Sequence, residues 1–108
     1  VTVYRRWNIG PLGTGDRTLI LAQQNERIIV DRIWITNKDS SNRNVDLHHL
    51  PADDGVNADD YGLIHDHTIS AKTYEITEGP IYMEPGDKLT VAASAANAII
   101  VTAYGRII

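Results

Sequence analysis

The chain has 108 residues, 43% of them apolar and 22% charged, and a formal net charge of −4; that is enough for one domain with a single core. The absence of cysteine excludes a disulfide framework and thiolate metal sites. No apolar run reaches the length of a membrane span, and Lys and Arg are scattered, with Arg5-Arg6 the only adjacent pair, so neither a membrane nor nucleic acid is an expected partner.

In chain order, residues 1–16 read as an N-terminal arm and residues 17–108 as a β-sandwich domain. Val3-Tyr4-Arg5 suits a short edge strand, whereas Asn8–Asp16 holds three Gly and one Pro in nine residues, a composition for an extended, turning segment. Such an arm packs either on its own domain or on a neighbouring subunit. Val3, Tyr4, Arg5 and Trp7 are therefore the candidate interface residues.

Short β-branched segments follow, separated by Gly, Pro, Asn and Asp. Thr18–Gln23 is the first. Ile28–Asn37 is the strongest; it carries apolar residues on both parities, which predicts a central strand covered on most of both faces. Asp31 and Arg32 interrupt it and mark a bend, and Trp34 is expected in the core. Asn44–Leu50 places Val45, Leu47 and His49 on one face. Pro51–Tyr61 is a long acidic loop. Leu63–Ser70, Thr73–Thr77 and a shorter Pro80–Met83 come next. Glu84-Pro85-Gly86-Asp87 is a turn, with Pro fixing φ at its second position and Gly supplying φ > 0 at its third. Lys88–Ser94 and Ala98–Ile108 are expected to form a closing hairpin across Ala95-Ala96-Asn97. With two Trp, five Tyr and no Phe, the core must be filled by Ile, Val and Leu. The fold predicted is all-β, a single antiparallel sandwich with eight strands in a jelly roll.

Two clusters offer metal chemistry. His65-Asp66-His67 lies in a strand, where residues two apart share a face, and His49 on the preceding strand supplies a third nitrogen. The plainer alternative is a set of hydrogen-bonded histidines at the sheet rim. Asp53, Asp54, Asp59 and Asp60 crowd around Gly55 with Asn57, a set of hard oxygen ligands suited to Ca²⁺, although acidic loops are usually just solvated. A cupin enzyme would need a Glu soon after His-x-His and a further His beyond the Pro-Gly turn. The next Glu is Glu75, and no His follows Asp87. No nucleophile constellation or phosphate loop is present, so neither catalysis nor a cofactor is expected.

From Thr18 onward the order of features resembles the small β-sandwich proteins of tailed-bacteriophage virions. The residues that carry it are Arg27–Asn37, the polar turn after it, Val45–Pro51, the acidic loop, Tyr82–Leu89 with its Pro-Gly-Asp turn, and the alanine-rich closing strands. The resemblance implies a structural role in the virion, assembled in the host cytoplasm, as a capsid cement or decoration protein or a head- or tail-attached component. It implies partners in the chain itself, a homo-oligomer with a trimer favoured, and in other virion proteins such as the major capsid protein. A carbohydrate-binding sandwich, with ligand held by loops at one end, is the alternative from a different class.

Overall fold

The computed structural model describes residues 2–52 and 62–108. Eight strands follow in order: β1 (Val3–Ile9), β2 (Arg17–Leu21), β3 (Ile28–Asn37), β4 (Arg43–Leu50), β5 (Gly62–Ile69), β6 (Tyr74–Met83), β7 (Lys88–Ala93) and β8 (Ile99–Ile107). They form two four-stranded antiparallel sheets, sheet A in the order β1-β8-β3-β6 and sheet B in the order β2-β7-β4-β5. Chain neighbours alternate between the sheets except for β4 and β5. This is the jelly-roll wiring, two interleaved Greek keys.

The core between the sheets is aliphatic. Ile28, Val30, Ile33 and Ile35 of β3 and Ile99, Val101 and Ala103 of β8 face Val45 and Leu47 of β4, Leu89 and Val91 of β7, and Ile20 of β2. Complete burial of such a side chain stabilises the fold by about 1.5–3 kcal/mol relative to exposure. Leu12 is also fully buried. Its backbone N–H donates to Ile99 O at 2.8 Å and its carbonyl accepts from Asn97 N at 2.9 Å, so the Gly-rich segment delivers one core residue.

Several expectations change. The edge strand expected at Val3–Arg5 forms but runs on to Ile9, so residues 3–9 are not an arm: Val3 to Ile9 pair along their whole length with Ile107 to Val101, because β8 would otherwise be left with an unpaired edge. The closing hairpin does not exist. β7 is flanked by β2 and β4, and β8 by β1 and β3, in different sheets, so residues 94–98 cross from one sheet to the other. Thr73–Thr77 and Pro80–Met83 merge into the single strand β6, which tolerates Pro80 because it lies at a sheet edge.

The two apolar parities of β3 have a different origin from coverage on both faces. The register slips between Val30 and Arg32 against both β6 and β8. Against β8, Asp31 is the extra residue of a bulge, while against β6 the extra residue lies in β6, at Gly79-Pro80; the bulge resets which side chains of β3 point inward. Ile28, Val30, Ile33 and Ile35 are therefore all inward, while Ile29 and Trp34 are outward and half-buried. Trp34 is not a core residue.

The Pro-Gly-Asp turn forms as expected. Asp87 N donates to Glu84 O at 3.0 Å, and Gly86 has φ +88. The Asp87 side chain then ties three elements together. Its Oδ2 accepts from Glu84 N at 3.0 Å and lies 2.9 Å from His49 Nε2, and its Oδ1 accepts from Ala52 N at 3.2 Å. Asp87→Ala strands these donors in a buried place, and the expected loss is about 1–3 kcal/mol of unfolding free energy, measured by urea denaturation.

In the turn after β3, the Arg43 guanidinium donates to Asp39 Oδ2 at 2.8 Å and Ser40 N to Asp39 Oδ1 at 2.8 Å. The hydrogen bond from Arg43, then that from Ser40, holds the Asp39 carboxyl below the usual carboxylate range. A lowered native value means stabilisation that is present above the ordinary aspartate pKa and lost as pH falls through the lowered one. The stability difference between wild type and Asp39→Asn is thus expected to shrink on acidification through that window in pH-resolved melts.

Candidate functional site

The three candidate histidines do not meet. His65 and His67 lie either side of a second bulge, in β5. Val45 pairs with His67 but Leu47 pairs with Ile64, so two residues of β4 span three of β5. Asp66 takes φ +50 there, a conformation Asp adopts more readily than most residues. The two-residue repeat is broken, and the two imidazoles take different carboxylate partners. His65 Nδ1 lies 3.8 Å from Asp46 Oδ1 on the outer side of sheet B. His67 Nε2 lies 2.7 Å from Glu75 Oε1 of β6, tying the edges of the two sheets together. His49 is held by Asp87. Each imidazole has its own carboxylate, and among the described residues no three metal-ligating side chains come together. Asp53, Asp54, Asp59 and Asp60 lie outside the described residues.

Beside His67, an open cleft of about 350 Å³ is lined by Leu63, Ile64, His65, His67 and Thr77. It separates edge strands β5 and β6.

The distinctive surface is the outer face of sheet A. Cross-strand pairing arranges it in rows that run β1, β8, β3, β6. One row is Asn8, Thr102, Trp34, Ile76; the next is Arg6, Tyr104, Arg32, Glu78; the third is Tyr4, Arg106, Ile29, Tyr82. Beyond the first row lie Ile100, Thr36 and Tyr74. Four aromatic rings therefore step diagonally across the sheet, one per strand: Tyr4, Tyr104, Trp34, Tyr74. Diagonal neighbours on a sheet remain within reach of aromatic side chains. Trp34 and Tyr74 do stack, with centroids 4.9 Å apart and planes at 19°, a contact worth about 0.5–1.5 kcal/mol.

These rings are open. Tyr4 is 75% exposed, Tyr82 65%, Tyr74 56% and Tyr104 41%. Arg6, Arg32 and Arg106 interleave with them, and Arg106 is tied to Asp31 of the bulge at 3.6 Å. Thr102 Oγ1 donates to Asn8 Oδ1 at 2.5 Å, locking β1 to β8 on this face.

No family model, curated protein or solved structure matches the chain.

Of the residues expected at an interface, Tyr4 lies at the start of the aromatic diagonal. Val3 and Arg5 are exposed on the same edge strand, their partners being Ile107 and Gly105. Trp7 instead turns inward opposite Ala103 and packs against the core, so it closes its own sandwich. The reading from sequence missed Trp34, Tyr74, Tyr82 and Tyr104 as a group. A local signal for one of them existed, since Tyr104 is on the opposite parity from Val101 and Ala103. The grouping itself depends on which strands pair, which is a non-local property.

Proposed function

We propose that this chain is a structural component of a tailed-bacteriophage particle, a capsid cement or decoration protein or a head- or tail-attached one. It acts by assembling with itself and docking on other virion proteins, such as the major capsid protein. The observation that carries this reading is the segregation of Tyr4, Trp34, Tyr74, Tyr82 and Tyr104 with three arginines on one sheet face, outside an aliphatic core. Tyr, Trp and Arg are the residues that dominate protein–protein hot spots, and an exposed cluster of them marks an interaction surface. A jelly roll supplies a rigid support for such a face, and fold alone does not choose the partner. The order of strands and turns that resembles small virion sandwiches supports virion proteins as the partners.

Mass spectrometry of gradient-purified particles of the encoding phage tests the reading. The chain is expected in fixed stoichiometry to the major capsid protein. Its confinement to the unassembled fraction would overturn the proposal.

One observation favours a carbohydrate-binding module as a second reading: open aromatic rings on a sheet face are also platforms for sugar rings. Here the rings lie on the face of sheet A rather than on end loops. Saturable calorimetric binding of an oligosaccharide, abolished by Tyr104→Ala, would favour it over assembly.

A further inference from the structure

The face of sheet A carries both signs of charge in a definite order, and that order identifies an occupant. The second row reads Arg6, Tyr104, Arg32, Glu78 from β1 to β6. A second copy laid face to face, related by a two-fold axis parallel to the strands, reverses this row. Arg6 then lies over Glu78 of the second copy, and Tyr104 lies over its Arg32. By symmetry the other two positions repeat the same contacts. One row thus yields two Arg–Glu pairs and two Arg-on-tyrosine contacts, with no like charges opposed.

The neighbouring rows fit the same operation. In the third row Tyr4 meets Tyr82 of the second copy, and Arg106 meets Ile29. In the first row Trp34 meets Thr102, and Asn8 meets Ile76. We propose that two copies of this chain associate through the outer faces of their A sheets in this isologous arrangement. The proposal rests on the self-assembly part of the function proposed above and names the surface and the symmetry.

An isologous contact requires a self-complementary patch, and the row supplies one. A two-fold axis along the aromatic diagonal would instead lay the Arg106–Arg32 flank over the Arg6 flank, setting cation against cation. Sheets stacked in this way pack with their strand directions roughly aligned. Four strands spaced about 4.8 Å apart present roughly 500 Å² per copy, so the contact buries roughly 1,000 Å², the low end for a specific interface. Concentration-dependent association follows. Within a larger closed oligomer, this contact would be one of the two-fold interfaces.

The test is the solution mass by light scattering and sedimentation equilibrium for wild type, Arg6→Glu, Glu78→Arg and the double variant Arg6→Glu/Glu78→Arg. Either single change sets like charges against each other at both ends of the row. Each is expected to weaken association about tenfold or more, while the double change restores both pairs and recovers most of the loss. The double variant keeps the wild-type net charge, which separates pairing from general repulsion. Melting temperatures of the dissociated monomers, read well below the association midpoint, are expected to stay the same in all four, since both residues are exposed.

A wild type that stays monomeric up to about 100 µM would overturn the proposal. So would an oligomer indifferent to both single changes, or singles that dissociate with no recovery in the double. The indifferent oligomer would leave self-assembly standing through another surface, so the two failures are distinguishable.

Discussion

Gly105→Ala is expected to lower the unfolding free energy by about 3 kcal/mol, the upper part of the range for overpacking a tight site. Gly105 lies in β8 opposite Val30, at the point where β3 bulges. A Cβ added there would stand 2.3 Å from the carbonyl oxygen of Ile29 and 3.0 Å from Val30 Cα. Both are backbone atoms of a central strand, which cannot swing aside as a side-chain tip can. Relief requires β3 and β8 to part, and these strands carry the middle of sheet A. Gly13→Ala is the control, because a Cβ at that position meets nothing within 4 Å, and its effect is expected within about 0.5 kcal/mol. Urea denaturation of both variants reads the difference. Equal midpoints would show that the close approach at the bulge does not constrain the fold.

Asn37→Asp is expected to cost a similar amount, about 3 kcal/mol at neutral pH. Asn37 is fully buried at the end of β3. Its Nδ2 donates to Ser41 O at 2.9 Å and to Ile69 O at 3.0 Å, and its Oδ1 accepts from Asp39 N at 2.9 Å. One side chain thereby joins the end of β3, the turn that follows it and the end of β5. The substitution preserves shape, so no cavity forms. It replaces a donor with a carboxylate oxygen facing two carbonyl oxygens, and leaves those carbonyls without their partner. A loss below about 1 kcal/mol would mean that the corner is held by packing and not by these hydrogen bonds.

The strands of this fold are legible in the sequence because Gly, Pro, Asn and Asp mark nearly every crossing between sheets. Ile28–Asn37 and the Glu84–Asp87 turn are read with the right bounds for local reasons, β-branching in one and turn chemistry in the other. The bulges are not legible, and two of them decide which faces the candidate residues take. Asp31 and Asp66 each insert one residue, and after an insertion every later side chain changes face. That shift makes β3 look apolar on both sides, sends Trp34 outward, and separates His65 from His67. A charged residue inside an apolar run, as at Asp31, is the trace such a bulge leaves in a sequence. β1 is legible only at its start, Val3–Arg5, for another reason. It is largely exposed, and its extent to Ile9 and its place in the sheet are set by the unpaired edge of β8, far along the chain.

The aromatic face is illegible for the same non-local reason. Tyr4, Tyr104, Trp34 and Tyr74 are distant in sequence and meet only through three strand pairings. Counting aromatics gives part of the answer: a core that Ile, Leu and Val can fill leaves the rings to be placed elsewhere.

Re-binding to particles tests most directly whether the chain, assembled through this face, attaches to a virion. Purified wild type and the exposed-face variant Tyr104→Ser/Arg32→Ser would each be titrated onto particles of the tailed phage that the proposal takes as its source, made without the chain, and pelleted. The account predicts saturable co-sedimentation of wild type at fixed stoichiometry, and loss of at least tenfold in occupancy for a variant that still melts as wild type, as expected when central interface anchors are removed. Wild type that stays in the supernatant at saturating excess, or a variant that binds equally well, would contradict it.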